Sequence, residues 1–265
     1  QLRWFCRELA RRGVNLIRIH GGASKTLLDF DADHLFAVRH DVVDQMHKAV
    51  AAAKEEGIYT FVSNTLFIIQ LKMKAAYGLD GYTREWLDAN PDRHVPFGLL
   101  FFNDTLRAAF KHWVRTLATT PNPYVEGHTP LAEDRSVAVF EIQNEDNVLF
   151  WTFDPQRWPA EQQRMAGRKF FRWLADRERR FGESAVEAVR RVTADWEVVL
   201  PEDAIEDGVL ALAGIGRVVT GEAGEERWST QLEYLGEVQR AFQEELTALL
   251  RDAGYERSEE HTSEL

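Results

Sequence analysis

The same junction occurs three times in this chain, where a helix end carrying charged residues meets a glycine and then a strand. The three stretches read Arg-Arg-Gly-Val-Asn at 11–15, Glu-Glu-Gly-Ile-Tyr at 55–59 and Asp-Ala-Gly-Tyr-Glu at 252–256. A glycine directly after a helix is a common stop signal. Regular alternation of helices and strands is typical of parallel βα units. We therefore expect an α/β fold, either a barrel or a doubly wound sheet.

Hydrophobic spacing predicts where the individual elements lie. Apolar residues three and four positions apart indicate helices, and unbroken apolar runs indicate buried strands. The predicted helices cover 1–12, 41–56, 105–118 and about 229–251, and the predicted strands cover 15–20, 58–64 and 136–143. A further helical pattern follows Trp151, and we expect about 176–230 to be an inserted, less regular region.

Composition and motifs disfavour several classes of function. The net charge of −11 argues against a nucleic-acid-binding protein, because such a protein needs a basic face. The longest apolar runs, such as 97–102, are too short to span a membrane. Cys6 is the only cysteine, so there is no disulfide framework. No Gly-x-Gly-x-x-Gly turn follows a predicted strand, which disfavours a dinucleotide-binding sheet. We expect neither nucleic acid nor membrane as a partner.

The strand that starts at Ser136 ends in a polar cluster, Gln143-Asn144-Glu145-Asp146-Asn147. Barrels of this class place catalytic groups at the carboxyl ends of their strands. Glu145, with Asn144 beside it, is therefore the first candidate for the centre of the chemistry. Alternation along a strand places Glu141 and Glu145 on one face, about 13 Å apart. That separation is too large for two carboxylates that act on one bond, so a partner of Glu145 must come from another strand.

Arg18 and His20 share one face of the first predicted strand, near its carboxyl end. Arg18 is a candidate for holding a catalytic carboxylate in its ionised form, and His20 is a candidate for bonding a sugar hydroxyl. The alternative for Arg18 is a structural ion pair with Glu141. For Glu141 we prefer a structural role, as an interior carboxylate satisfied by a basic or polar neighbour.

Weaker candidates lie at the end of the next strand and after the third. Ser63 and Asn64 are at the equivalent strand end, although such residues also cap loops. Trp151, Phe153 and Trp158 are candidates for a platform on which a sugar ring stacks, and packing within a lid is an equal alternative.

Metal binding is disfavoured by the distribution of histidines. His40 and His47 lie on one predicted helix without carboxylates at a matching spacing, so we expect them on a solvated face. Among the strand ends only His20 is well placed, which argues against a metal-dependent hydrolase. We expect no metal and no cofactor.

The run Phe140-Glu-Ile-Gln-Asn-Glu145 resembles the fourth-strand signature of clan A glycoside hydrolases, in which an Asn-Glu pair ends the strand. The run Val14-Asn-Leu-Ile-Arg-Ile-His20 is similar to the second strand of that clan, which carries an active-site arginine. Three blocks, at 96–103, 122–124 and 145–151, resemble bacterial cellulase-like members close to family 5. The segment from Phe170 to Ser184 also resembles a helix and turn of family 42 β-galactosidases.

This resemblance implies an eight-stranded (β/α) barrel of which the chain covers strand two to helix four, over residues 1–256. It also implies retaining hydrolysis of a glycosidic bond in a carbohydrate substrate. Glu145 would be the general acid and base, Asn144 would bond the sugar 2-hydroxyl, and Arg18 would support the nucleophile. The clan's nucleophile is a glutamate that ends strand seven, which this sequence does not reach. A carbohydrate-binding barrel without catalysis is the alternative function.

The last nine residues, Arg257 to Leu265, follow no periodic pattern. They resemble the peptide that results when a sequencing adapter is translated, and the alternative is an ordinary polar tail. We therefore expect the natural gene to continue beyond Glu256.

We predict that the purified 265-residue chain has no glycosidase activity, because it lacks the expected nucleophile, and that the full-length parent is active. Assays of both proteins with aryl glycosides test this. Turnover by the purified short chain would contradict the expectation.

Overall fold

The computed structural model of the protein describes residues 1–20, 32–63, 71–144 and 147–261. In chain order the helices and strands are α1 (Leu2–Arg11), β1 (Leu16–His20), α2 (His40–Glu55), β2 (Tyr59–Ser63), α3 (Arg84–Ala89), α4 (Asp104–Thr119), β3 (Val137–Gln143), α5 (Ala160–Glu178), α6 (Ala185–Thr193), α7 (Ile215–Val219), α8 (Glu225–Asp252) and β4 (Ser258–His261). The predicted helices and strands are confirmed to within a few residues. The short helices α3, α6 and α7 and the strand β4 were not predicted.

The chain divides into two compact units. Unit 1 comprises Gln1–Leu71, Ala108–Asp146 and Phe242–Leu265, and unit 2 comprises Lys72–Arg107 and Asn147–Ala241. All four strands belong to unit 1. The region that we expected to be inserted, about 176–230, lies within unit 2.

The sheet of unit 1 has four parallel strands in the order β1-β2-β3-β4. Each new strand is added beside the previous one, so the described part of the sheet lacks the reversal of strand order that defines a doubly wound fold. The expected α/β class is confirmed. Strand β4 lies inside the segment that resembles a translated adapter, and it pairs with β3.

The three repeated junctions adopt one backbone motif. At each, the amide after the glycine donates to the carbonyl five residues earlier: Val14 to Leu9, Ile58 to Ala53 and Tyr255 to Leu250, at 3.1, 3.0 and 3.0 Å. The junction glycines, Gly13, Gly57 and Gly254, have φ of +83°, +73° and +95°. This is the Schellman motif, which requires a left-handed residue and therefore favours glycine. The predicted helix stops are confirmed.

Helices α1 and α2 cover one face of the sheet at β1 and β2. Ile17 of β1 packs on a cluster formed by α1, the end of α2 and the start of the β2 run, with Cys6, Ala53 and Ile58 among its members. On the opposite face Leu16 and Tyr59 are 45% and 53% exposed. This open face also carries the side chains that form the candidate site.

The expectation that the α2 histidines lie on a solvated face is wrong for His47. His40 is exposed, but His47 is buried and its Nε2 has no hydrogen-bond partner among the described residues. Its backbone carbonyl accepts a bond from Asn122 of the loop after α4, at 3.3 Å. Burial lowers the pKa of His47.

Unit 2 is packed around aromatic rings and one buried ion pair. Phe102 lies 5.9 Å from Phe153 and 5.8 Å from Trp158, measured between ring centroids. Arg227 and Asp203 pair at 2.8 Å, with their side chains 1% and 4% exposed. These aromatic rings form part of the core of this unit, together with many buried aliphatic side chains.

Asp134 positions the start of β3, which has no glycine junction before it. Its buried carboxylate accepts bonds from Lys54 Nζ at 2.9 Å and from the Ser136 amide and hydroxyl at 2.9 and 2.8 Å. Burial alone would raise the pKa of Asp134, but the bonds from Ser136 and Lys54 outweigh it and the pKa is lowered. The charged form is therefore the one that stabilises the strand start.

We predict that Asp134→Asn lowers the free energy of unfolding by about 1–3 kcal/mol at pH 7, because bonds to a charged, buried acceptor are weakened. A carboxyl whose folded pKa is lowered stabilises the protein above its unfolded pKa and loses that contribution as pH falls through the folded value. The difference between wild type and variant should therefore shrink as the pH of urea titrations is lowered from 7 to about 3.

Glu206→Gln is the matched control, since Glu206 is an exposed carboxylate paired with Arg190 and 71% exposed. It should change stability by less than about 0.5 kcal/mol. An equal effect of the two substitutions would contradict the role of Asp134.

Candidate functional site

The carboxyl ends of three neighbouring strands bring polar side chains into one row. In the sheet register His20 of β1 lies opposite Ser63 of β2, and Ser63 lies opposite Glu141 of β3. Residues directly opposite each other project to the same face of a sheet. The row therefore forms a polar cluster on the open face, in unit 1.

Arg18 is the centre of this cluster. Its Nη2 lies 2.8 Å from both carboxylate oxygens of Glu141, 2.5 Å from Asn144 Oδ1 and 3.3 Å from Ser63 Oγ. Its guanidinium carbon lies 5.2 Å from the centroid of the Phe61 ring. The side chain of Glu141 is 0% exposed and that of Arg18 is 41% exposed. The basic neighbour expected for Glu141 is confirmed, and so is the ion pair expected as the alternative for Arg18.

Asn144 reaches the cluster through a break in the strand alternation. Strict alternation places Gln143, not Asn144, on the face of Glu141. The pairing with β4 shifts register between Glu141 and Gln143, which adds one residue on β3. An extra residue of this kind resets which side chains share a face. Asn144, which is buried, therefore bonds to the same arginine as Glu141.

Ser63 connects the ion pair to the imidazole of His20. Its hydroxyl donates to Glu141 Oε2 and lies 2.7 Å from His20 Nδ1. Ser63 is fully buried, whereas His20 is half-buried. Ser63 is only a weak candidate from the sequence, and the signal that favours it is its place at the carboxyl end of a buried strand, level with His20.

Several donors of the cluster have no acceptor in the described part of the chain. All bonds of Arg18 to the described residues use Nη2, so Nη1 and Nε do not bond to any of those residues. The side-chain oxygen of Asn144 accepts a bond from the guanidinium, because a guanidinium can only donate. This contact therefore uses neither of the two amide hydrogens of Asn144. The arrangement can bind a ligand that offers oxygen acceptors.

Two predicted site residues, Glu145 and Asn64, lie outside the described residues. Trp151 belongs to unit 2, where its ring is 56% exposed and lies 5.6 Å from that of Phe97. Phe153 and Trp158 are 0% and 2% exposed and lie 6.1 Å apart between ring centroids, so both rings are packed in the interior of unit 2.

Neither a metal cluster nor a membrane helix is found in the described ranges. No group of three His, Cys, Asp or Glu residues there is arranged to hold a metal ion. No helix in those ranges is both long and apolar enough to cross a bilayer.

Comparisons with known proteins give partial structural likenesses. No protein-family model matches the chain, and no curated protein matches it. Two solved structures that resemble it are the glycoside hydrolase family 5 mannosidase of Rhizomucor miehei and a variant of that enzyme in complex with mannosyl-fructose. Each has 12% sequence identity and a TM-score of 0.36 over 62% of this chain. The matched part spans 41% and 48% of those chains, less than half of their length.

The unequal exposure of Arg18 and Glu141 predicts unequal costs of removing either partner. Arg18→Leu leaves a buried carboxylate without its cation and should lower the free energy of unfolding by about 3–5 kcal/mol. Glu141→Gln leaves a guanidinium that water can reach and should cost less, about 1–3 kcal/mol. Urea titrations of both variants measure the difference.

Glu55→Gln is the control, because Glu55 pairs with Arg3 on the surface, where the two side chains are 41% and 67% exposed. It should cost less than about 0.5 kcal/mol. If Glu141→Gln destabilised the protein as much as Arg18→Leu, the assignment of the buried partner would be wrong.

Proposed function

We propose that this chain is part of a retaining glycoside hydrolase, with Glu145 as the general acid and base. One observation carries the proposal: Arg18 binds Glu141 and Asn144 at the carboxyl end of β3, directly before Glu145 in the sequence. Active sites of α/β barrels are built at this end of their strands. The cluster therefore supports a role for the residue that follows it.

The proposed architecture is part of a (β/α)8 barrel. Strands β1 to β4 are parallel and follow chain order, and helices α2, α4 and α8 lie between successive strands in the sequence. Sequential addition of βα units in one direction is how such a barrel is assembled. The open face of the sheet, with its polar cluster at the carboxyl end, corresponds in this proposal to the barrel interior.

The proposed mechanism uses two carboxylates. Glu145 protonates the leaving oxygen, and a second glutamate, outside this sequence, attacks the anomeric carbon; Glu145 then activates the water that releases the sugar. The amide hydrogens of Asn144, which bond to no described residue, suit a bond to the sugar 2-hydroxyl, and the Arg18 donors without a described partner suit the second carboxylate. His20, Asn64 and Trp151 are proposed as further sugar contacts. Two carboxylates suffice, so the proposal includes no metal or cofactor.

The first test is the sequence of the natural gene beyond the codon for Glu256. The proposal expects further βα units and a glutamate at the end of strand seven. A gene that continues as a barrel without that glutamate would favour the alternative, a barrel that binds carbohydrate without cleaving it.

The second test is Glu145→Gln in the full-length gene product. We predict that kcat/KM falls by about 10²–10⁴-fold for glycosides with a poor leaving group, because their departure needs a proton. The loss should be much smaller for 2,4-dinitrophenyl glycosides, whose leaving group departs without protonation.

Glu133→Gln provides the control, since Glu133 is an exposed carboxylate in the loop before β3. It should leave both rates unchanged. A loss in Glu145→Gln that did not depend on the leaving group would contradict general acid catalysis by this residue.

A further inference from the structure

The hydroxyl group of Ser63 has every bonding position occupied. A serine hydroxyl has one hydrogen to donate and two lone pairs that accept. Its neighbours are Glu141 Oε2, Arg18 Nη2 at 3.3 Å and His20 Nδ1 at 2.7 Å. Three contacts therefore use one donor and two acceptor positions.

The chemistry of these neighbours fixes the direction of each bond. A guanidinium can only donate, so Arg18 uses one lone pair of Ser63. The carboxylate of Glu141 is paired with that guanidinium and accepts the serine hydrogen. The remaining lone pair faces His20 Nδ1, which must therefore be the donor in that contact. A neutral imidazole with a hydrogen on Nδ1 has none on Nε2.

We infer that Ser63 is a positioning residue that holds His20 in the Nδ1–H tautomer, so that Nε2 is a bare acceptor for a hydroxyl group of the ligand. None of the described residues bonds to Nε2, and the ring is half-buried. A sugar hydroxyl both donates and accepts, so it matches one acceptor beside the donors of Arg18 and Asn144. The identification of that hydroxyl with a sugar rests on the proposed function, whereas the tautomer does not.

The tautomer is measured directly by nitrogen NMR on the chain with labelled histidines. Long-range proton–nitrogen spectra at about pH 8, where imidazoles are neutral, separate the protonated ring nitrogen from the bare one. The chain has 8 histidines, and His20→Gln assigns the signals of His20 by their loss. We expect Nδ1 protonated and Nε2 bare. The opposite assignment would overturn the inference.

Variants of the serine test its role as the cause. Ser63→Ala removes the acceptor, and the ratio of Nδ1–H to Nε2–H forms should fall by about tenfold, the size that one hydrogen bond supports. Ser63→Thr keeps the hydroxyl and should restore the wild-type ratio. Ser136→Ala is the matched control, because its hydroxyl bonds Asp134 at the opposite end of the sheet, and it should leave His20 unchanged. An unaltered ratio in Ser63→Ala would overturn the role of Ser63.

Sugar titrations then test the ligand part separately. Mannobiose and cellobiose are the probes, and at least one should shift the His20 Nε2 signal of wild type in the direction of an accepted hydrogen bond. The same sugar should shift it several-fold less in Ser63→Ala. If the tautomer is as inferred and neither sugar moves the signal, the recognition of a sugar hydroxyl by His20 is overturned. The proposed hydrolysis is judged independently, by the leaving-group dependence of Glu145→Gln.

Discussion

The ion pair between Arg18 and Glu141 is the interaction on which the rest of the candidate site depends. A carboxylate with no exposed surface costs several kcal/mol unless it is paired and hydrogen-bonded. Ser63 supplies one of those partners from the neighbouring strand β2, and Arg18 supplies the other from β1, one strand further away. A slip of β1 or β3 by one residue would turn Arg18 or Glu141 to the other face and break the pair, and a slip of β2 would remove the bond from Ser63. The pair and the serine bond together therefore favour one register of the three strands at their carboxyl ends.

That register begins at the other end of the strands, in the helix junctions. The motifs at Gly13 and Gly57 have matching hydrogen bonds, so β1 and β2 each follow a helix through the same turn, and their starts differ by only one residue in distance from the glycine. Strand β3 lacks such a glycine, and its start is fixed by Asp134, which joins it to the end of α2 through Lys54. The glycine motifs thus position the starts of β1 and β2, and the bonds of Asp134 position the start of β3. The ion pair between Arg18 and Glu141 lies at the other end of these strands.

Local patterns were sufficient to predict the longer helices, strands β1 to β3, the glycine stops and the partner of Glu141, because each depends on residues close in sequence or on strand alternation. Non-local contacts were not predictable. The position of Asn144 depends on a register shift against β4, and the burial of His47 accompanies packing near Asn122. The importance of Ser63 depends on Glu141, 78 residues away, since a serine at a strand end looks the same whether it caps a loop or joins two strands.

The charges of the described cluster also limit what it can bind. Arg18 and Glu141 neutralise each other, so the cluster offers a ligand no net charge, and its unused groups are donors on Arg18 and Asn144. A cation would find no free carboxylate among these residues. A neutral, hydroxylated ligand costs less to desolvate than an ion and can satisfy the donors with its oxygens. A hydroxyl group of the ligand that accepts a bond from Arg18 or Asn144 still has its own hydrogen to donate. An acceptor at His20 Nε2 would bind that hydrogen.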